Sequence, residues 1–186
     1  MPGLSRKKRV ALLLAGLAAF VLLAHRAYLS LSSRNMEVAP PAALASGMVV
    51  PGDLALETPE GKKVTLSEYR GKVVLINFWA GWCGPSLHEM PGLFDLQKRL
   101  SGKGFTVLAV NMDEELRSGM MALKKAAGNP PFPIFRGAGS QLADRFGIEG
   151  LPYSVLLGKN FKIAFAHAGE IDWSASGQRA LVEGLL

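Results

Sequence analysis

A single cysteine, Cys83, stands in 186 residues. No disulfide can close within the chain, so the fold holds together without one even in an oxidising compartment. Histidine is almost as scarce. His88 and His167 have no visible partner at metal or triad spacing, which leaves both without a chemical assignment. The body of the chain also lacks an excess of either charge. Residues 1–47 carry six Arg and Lys against Glu37 alone, and the other 15 basic and 14 acidic residues almost cancel. The net charge of +6 therefore belongs to the N-terminus, and nucleic-acid binding loses its electrostatic footing. Internal repeats and low-complexity tracts are missing from residues 48–186, while a hydrophobic content of 49% excludes a disordered chain.

What is present begins with a targeting element. A basic segment over residues 1–9, with "SRKKR", precedes the uncharged run "VALLLAGLAAFVLLA". That run is short of the roughly 20 apolar residues a spanning helix needs. "YLSL" prolongs it past His25 and Arg26, whose polar ends can snorkel to the interface. Ala43-Leu44-Ala45 lies too far beyond the run to serve as a cleavage site. Residues 10–31 are thus expected to be an uncleaved transmembrane anchor rather than a cleaved signal. The cations in front should stay cytoplasmic, making this a single-pass protein of the cytoplasmic (inner) membrane whose domain faces the periplasm or cell exterior. Residues 32–47, rich in Ser, Ala and Pro, read as a flexible linker, and residues 48–186 as the folded domain.

Within that domain strands and helices alternate. "DLALETPEGKKVTL" predicts two short strands about a turn at Pro59-Glu60-Gly61, and "KVVLINFW" and "FTVLAVNM" predict buried central strands. Helices are expected through "SLHEMPGLFDLQKRL", over "DEELRSGMMALKKAAG" with its acids at the start, over "QLADRF", and from about Ser174. "PFPIF" is a short extended piece, and "YSVLLG" and "FKIAFAHA" form a closing hairpin. The fold class is α/β: a sandwich with a central mixed sheet.

The chemistry concentrates in "FWAGWCGPSLHEMP". Cys83 falls just after a buried strand and just before a helix, where backbone N–H groups lack intrahelical partners. Pro85 suits a first turn because it needs no N–H bond. Free N–H groups and the helix dipole favour an anion there, and the thiolate is the nucleophilic form of cysteine. A free cysteine is most often a small buried hydrophobe. The flanking Trp82 and Gly84-Pro85 are not those of a core helix or strand interior, so the reactive reading is preferred.

These residues resemble the thioredoxin superfamily, whose site is Trp-Cys-Gly-Pro-Cys. "LSEYRGKVVLINFWAGWCGP", the following "EMP" and the segment before "GIEGLPYSVLL" are most similar to its membrane-tethered TlpA/ResA-type proteins. The resemblance implies a thioredoxin fold and an oxidoreductase acting on protein thiols or disulfides through Cys83. It places Trp82, Gly84, Pro85, Ser86, Leu151 and Pro152 along the substrate groove, with Leu151 offering its backbone and Pro152 in a cis peptide facing the nucleophile. No cofactor and no metal are implied. Thioredoxin's buried aspartate is replaced here by Asn77, and the resemblance moves proton handling to Glu89. Ser86-x-x-Glu89 also fits a capping box, in which Glu89 would be structural.

Ser86 takes the place of the family's resolving cysteine, and a hydroxyl cannot form a disulfide. Three readings stay open: a monothiol enzyme using glutathione, a protein thiol or a membrane reductant; a module that holds its partner without turnover; or a cysteine replaced to trap partners. A one-cysteine peroxidase is disfavoured because its expected Thr-x-x-Cys is absent, position 80 being alanine. Cytochrome c maturation enters by analogy alone.

Overall fold

A computed structural model describes residues 46–140 and 142–186, together with Gly16. The expected basic segment, the anchor and the linker up to residue 45 lie outside the described residues, Gly16 excepted. Among the described residues no helix is long and apolar enough to cross a membrane.

One mixed sheet runs through the domain. In chain order its strands are β1 (Ala55–Glu57), β2 (Lys63–Thr65), β3 (Val73–Trp79), β4 (Phe105–Asn111), β5 (Ile134–Arg136), β6 (Tyr153–Leu157) and β7 (Ile163–Ala168). In space they lie in the order β2-β1-β5-β4-β3-β6-β7. β3, β4 and β5 are parallel, and β6 runs antiparallel to β3 and β7. The helices are α1 (Gly84–Leu100), α2 (Leu116–Ala126), α3 (Leu142–Phe146) and α4 (Ser176–Glu183). α1 and α2 connect the parallel strands, as parallel pairing requires. The expected α/β sandwich is present.

The continuous apolar run of β3 has a simple cause: every one of its residues is buried, because the sheet is covered on both faces. Side chains alternate across a strand, so two cores form. Val74, Ile76 and Phe78 face a core closed by the N-terminal residues Leu54, Leu56 and Leu66 and by Phe146 of α3. Val73, Leu75 and Trp79 face another, closed by Met90, Leu93 and Phe94 of α1 and by Trp173. Asn77 shares the parity of this second group. The pleat therefore aims a buried amide at α1, which is what brings a polar site into an apolar layer.

The acids expected at the start of α2 are not in it. The helix begins at Leu116, with Glu115 as a flanking residue that makes no side-chain cap. Asp113 is turned the other way, onto the loop after β3. Pro91 lies inside α1, which continues through it to Leu100.

Candidate active site

The chain leaves β3 at Trp79, turns through Ala80, Gly81 and Trp82, and enters α1 at Gly84. Cys83 is the N-cap residue, with extended backbone angles (φ −90°, ψ 101°). Its Sγ accepts the backbone N–H of Ser86 at 3.4 Å, so the thiol occupies the place that a Ser or Asp oxygen usually fills. No acidic residue stands in the first turn of α1, and Lys98 and Arg99 stand in its last. The positive end of the helix dipole at the sulfur is thus not countered from within the helix.

Across from the sulfur lies the Leu151–Pro152 peptide, which is cis. Cys83 Sγ is 3.6 Å from the Leu151 carbonyl oxygen, a contact of sulfur hydrogen-bond length. Pro152 is buried and Leu151 half-buried, while Trp82 is 72% exposed. Gly84 and Pro85 are exposed at the helix start. Trp82, Cys83, Gly84, Pro85, Ser86 and Leu151-Pro152 are thereby gathered at one end of the sheet. Ser86 is fully buried, and its Oγ has no hydrogen-bond partner. An unmet buried hydroxyl costs about 1–3 kcal/mol, so this position is not one that packing alone would choose for serine.

Glu89 is only 4% exposed, although it is a carboxyl on a helix. Its Oε1 accepts from Asn77 Nδ2 at 2.5 Å and its Oε2 from the Ile171 backbone N–H at 3.1 Å. The Asn77 amide also donates to Ser154 Oγ at 3.1 Å, across a directly paired position of β3 and β6. The capping-box reading of Ser86-x-x-Glu89 is corrected here. Cys83, not Ser86, is the N-cap, and Glu89 spends both oxygens on partners outside the helix.

Burial pushes the Glu89 carboxyl from its ordinary 4.5 up to about 7, against the opposing pull of the Ile171 and Asn77 donors. The nearby Glu170 charge pushes the same way. The Trp173 indole N–H lies close enough to lower it slightly, without hydrogen-bond geometry. Glu89 also lines a cavity of about 510 Å³ with His88, Pro91, Gly92, Glu170 and Trp173. A carboxyl that titrates near neutrality beside such a cavity can take up or release a proton at working pH.

His88 is exposed, as expected, but it does have a partner: its Nδ1 is 3.0 Å from Glu170 Oε1. His167 stacks on Phe165 with ring centroids 6.0 Å apart. Among the described residues no group of three His, Cys, Asp or Glu side chains is placed to hold a metal ion. Sequence reasoning missed Ser154, the Ile171 N–H and Glu170, all of which reach the site from distant parts of the chain. It also missed Asp113, whose Oδ2 accepts the Gly81 N–H at 2.7 Å.

The Redoxin family pattern matches residues 45–182, most of the chain. The chain belongs to the Redoxin family. Within it, the relatives are ResA-like members of the thioredoxin superfamily. The thiol-disulfide oxidoreductase ResA of Geobacillus thermodenitrificans is 35% identical over 123 residues, covering 65% of this chain and 68% of that protein. ResA of Bacillus subtilis is 30% identical over 111 residues, or 60% of this chain and 61% of its own length. The match thus spans under two thirds of the Bacillus protein. Among solved structures, a Chlorobium tepidum protein described as the thiol:disulfide interchange protein DsbE superposes with a TM-score of 0.65 at 34% identity. That superposition covers 74% of this chain and 96% of the other. The thioredoxin domain of a Bacteroides vulgatus thiol-disulfide oxidoreductase, at 23% identity and TM-score 0.63, shares the fold. This Redoxin member is a thiol-disulfide oxidoreductase-like protein with a thioredoxin fold.

Proposed function

We propose that this Redoxin-family chain exchanges disulfides with protein substrates through Cys83 alone, on a domain tethered outside the cytoplasm. The observation that carries the reading is the Cys83 sulfur itself. It caps α1 opposite the cis Leu151–Pro152 peptide, with a buried serine one helical turn on.

The cycle balances without a second thiol. The Cys83 thiolate attacks one sulfur of a substrate disulfide; a Cys83–substrate disulfide forms and the other substrate sulfur leaves as a thiolate, which takes a proton. An external thiol, glutathione or a membrane or protein reductant, then attacks the Cys83 sulfur of the mixed disulfide, and the second substrate sulfur leaves as a thiol. A second equivalent attacks the external sulfur now bound to Cys83, returning Cys83 as thiolate and leaving the two external sulfurs joined as a disulfide. Leu151 presents its backbone to an extended substrate, and Trp82 an exposed apolar face. Glu89, poised near neutrality, trades the protons that the two thiolates gain and lose. The unpartnered Ser86 hydroxyl is available as a donor to the Cys83 anion.

Ser86→Cys is the direct test. Restoring a thiol one turn away makes resolution intramolecular and gives it a high effective concentration. The variant should shorten Cys83 adducts at least tenfold and raise disulfide reduction with dithiothreitol, whereas wild type should turn over in proportion to added glutathione. A variant that changes neither lifetime nor turnover favours the module that holds its partner. The tether rests on the basic-then-apolar pattern of residues 1–31. Protease added to intact spheroplasts should remove residues 48–186, and full protection would refute that placement.

A further inference from the structure

The turn that carries the nucleophile is held from outside by a side chain with no role in the exchange described above. Its two ends are fixed by backbone bonds: Met112 N–H donates to the Trp79 carbonyl at 2.8 Å, and Cys83 N–H to the Ala80 carbonyl at 3.1 Å. The Gly81 N–H, in mid-turn, donates to Asp113 Oδ2 at 2.7 Å. The same oxygen accepts Asn111 Nδ2 at 2.6 Å, while Asn111 Oδ1 accepts the Asp113 backbone N–H at 3.2 Å. Asn111 is 1% exposed and Asp113 8%. The three bonds form a closed bracket at the C-terminal end of β4.

α2 presses on this bracket with no room to spare. A Cβ on Gly81 would fall 2.7 Å from Gly119 Cα, and a Cβ on Gly119 would fall 2.3 Å from Asp113 Oδ2 and 2.4 Å from Asn111 Nδ2. Two glycines therefore let loop, bracket and helix meet, with the carboxyl packed directly against Gly119. An acid capping α2 would bond the free N–H groups of its first turn; Asp113 instead spends Oδ2 on Gly81 and Asn111.

We propose that Asp113 is the positioning residue for Cys83: through the Gly81 N–H it fixes the turn that sets the sulfur at the start of α1. A sulfur that must meet an incoming atom in line loses rate steeply when its carrier loosens, even though the thiol itself is unchanged. The inference rests on the exchange reading for its biological meaning, but sulfur placement can be read on its own by alkylation.

The experiment measures the rate of Cys83 with iodoacetamide and with a small aromatic disulfide, at one pH, in the folded full-length protein. Asp113→Ala removes both bonds at Oδ2 and should slow both reactions roughly tenfold or more. Since both donors converge on one oxygen, Asp113→Asn can place its own oxygen there; it should keep both rates within about twofold of wild type. Should Asp113→Ala not fold, Asn111→Ala, which leaves the carboxyl but removes its brace, should show a loss of about threefold. A folded Asp113→Ala, or in its place a folded Asn111→Ala, that reacts at the wild-type rate overturns the proposal. So does an Asp113→Asn as slow as Asp113→Ala, because charge rather than the hydrogen bond would then be at work. Wild type that is alkylated readily but forms no mixed disulfide would end the exchange reading, and the alkylation rates would still decide the role of Asp113.

Discussion

Two buried carboxyls belong to this site, and they are built differently. Glu89 divides its partners, one donor to each oxygen, and lines a cavity large enough for several waters. Asp113 gathers both donors on one oxygen and is wedged against Gly119. The comparison separates two uses of a buried acid. A carboxyl beside a cavity that burial raises to about 7 can change its proton count, whereas one that joins two N–H groups against a helix backbone holds a shape. The nucleophile needs both, because a sulfur must be in place before its charge matters.

The largest expected effect tests the proton side of this comparison. Glu89 binds its proton more tightly folded than unfolded, since burial raises it from 4.5 to about 7. Its contribution to stability is therefore fully present below about pH 4.5 and is lost as pH rises through about 7. The total change is on the order of 3 kcal/mol for a shift of this size. Glu89→Gln should flatten that part of the stability profile in urea unfolding measured from pH 4 to 8. An unchanged slope would assign the proton uptake to another group.

Gly119→Ala breaks the other side. Its new methyl must displace Asp113 or push α2 away, and overpacking of this kind costs typically 1–3 kcal/mol. The loss should appear at every pH, leaving the Glu89 slope intact; a variant as stable as wild type would mean the bracket is loose. The smallest effect is expected for Glu170→Gln. Removing that charge should lower the Glu89 titration modestly, read by carboxyl NMR, with little change in stability because the His88–Glu170 pair is exposed. An upward movement would contradict the stated electrostatics.

Much of this was legible in the sequence, and unevenly so. The run "KVVLINFW" announced a strand buried on both faces, and "WCGP" announced a strand-to-helix corner, because both depend on near neighbours. The cis Leu151–Pro152 bond and the approach of Leu151 to Cys83 came only from resemblance, since 68 residues separate the sulfur from that carbonyl. Glu89 was ambiguous for the same reason: the spacing to Ser86 fits a cap, and only the distant Asn77 and Ile171 decide against it. Asp113 was read as a helix-start acid because local charge patterning favours that. Its true partner, Gly81, lies 32 residues earlier and is reached only through the pairing of β3 with β4. Residues whose roles are set along the chain were readable; those set across the sheet were not.

On the exchange reading proposed above, Cys83 forms a mixed disulfide that this chain cannot resolve by itself. The measurement that tests it most directly is the lifetime of the wild-type adduct. Purified protein is mixed with a disulfide-bonded peptide, quenched at intervals and weighed by intact mass, with and without glutathione. A one-to-one adduct on Cys83 is expected to persist without added thiol and to decay at a rate proportional to glutathione concentration. An adduct that disappears equally fast without glutathione, or none at all while the thiol stays free, would contradict it.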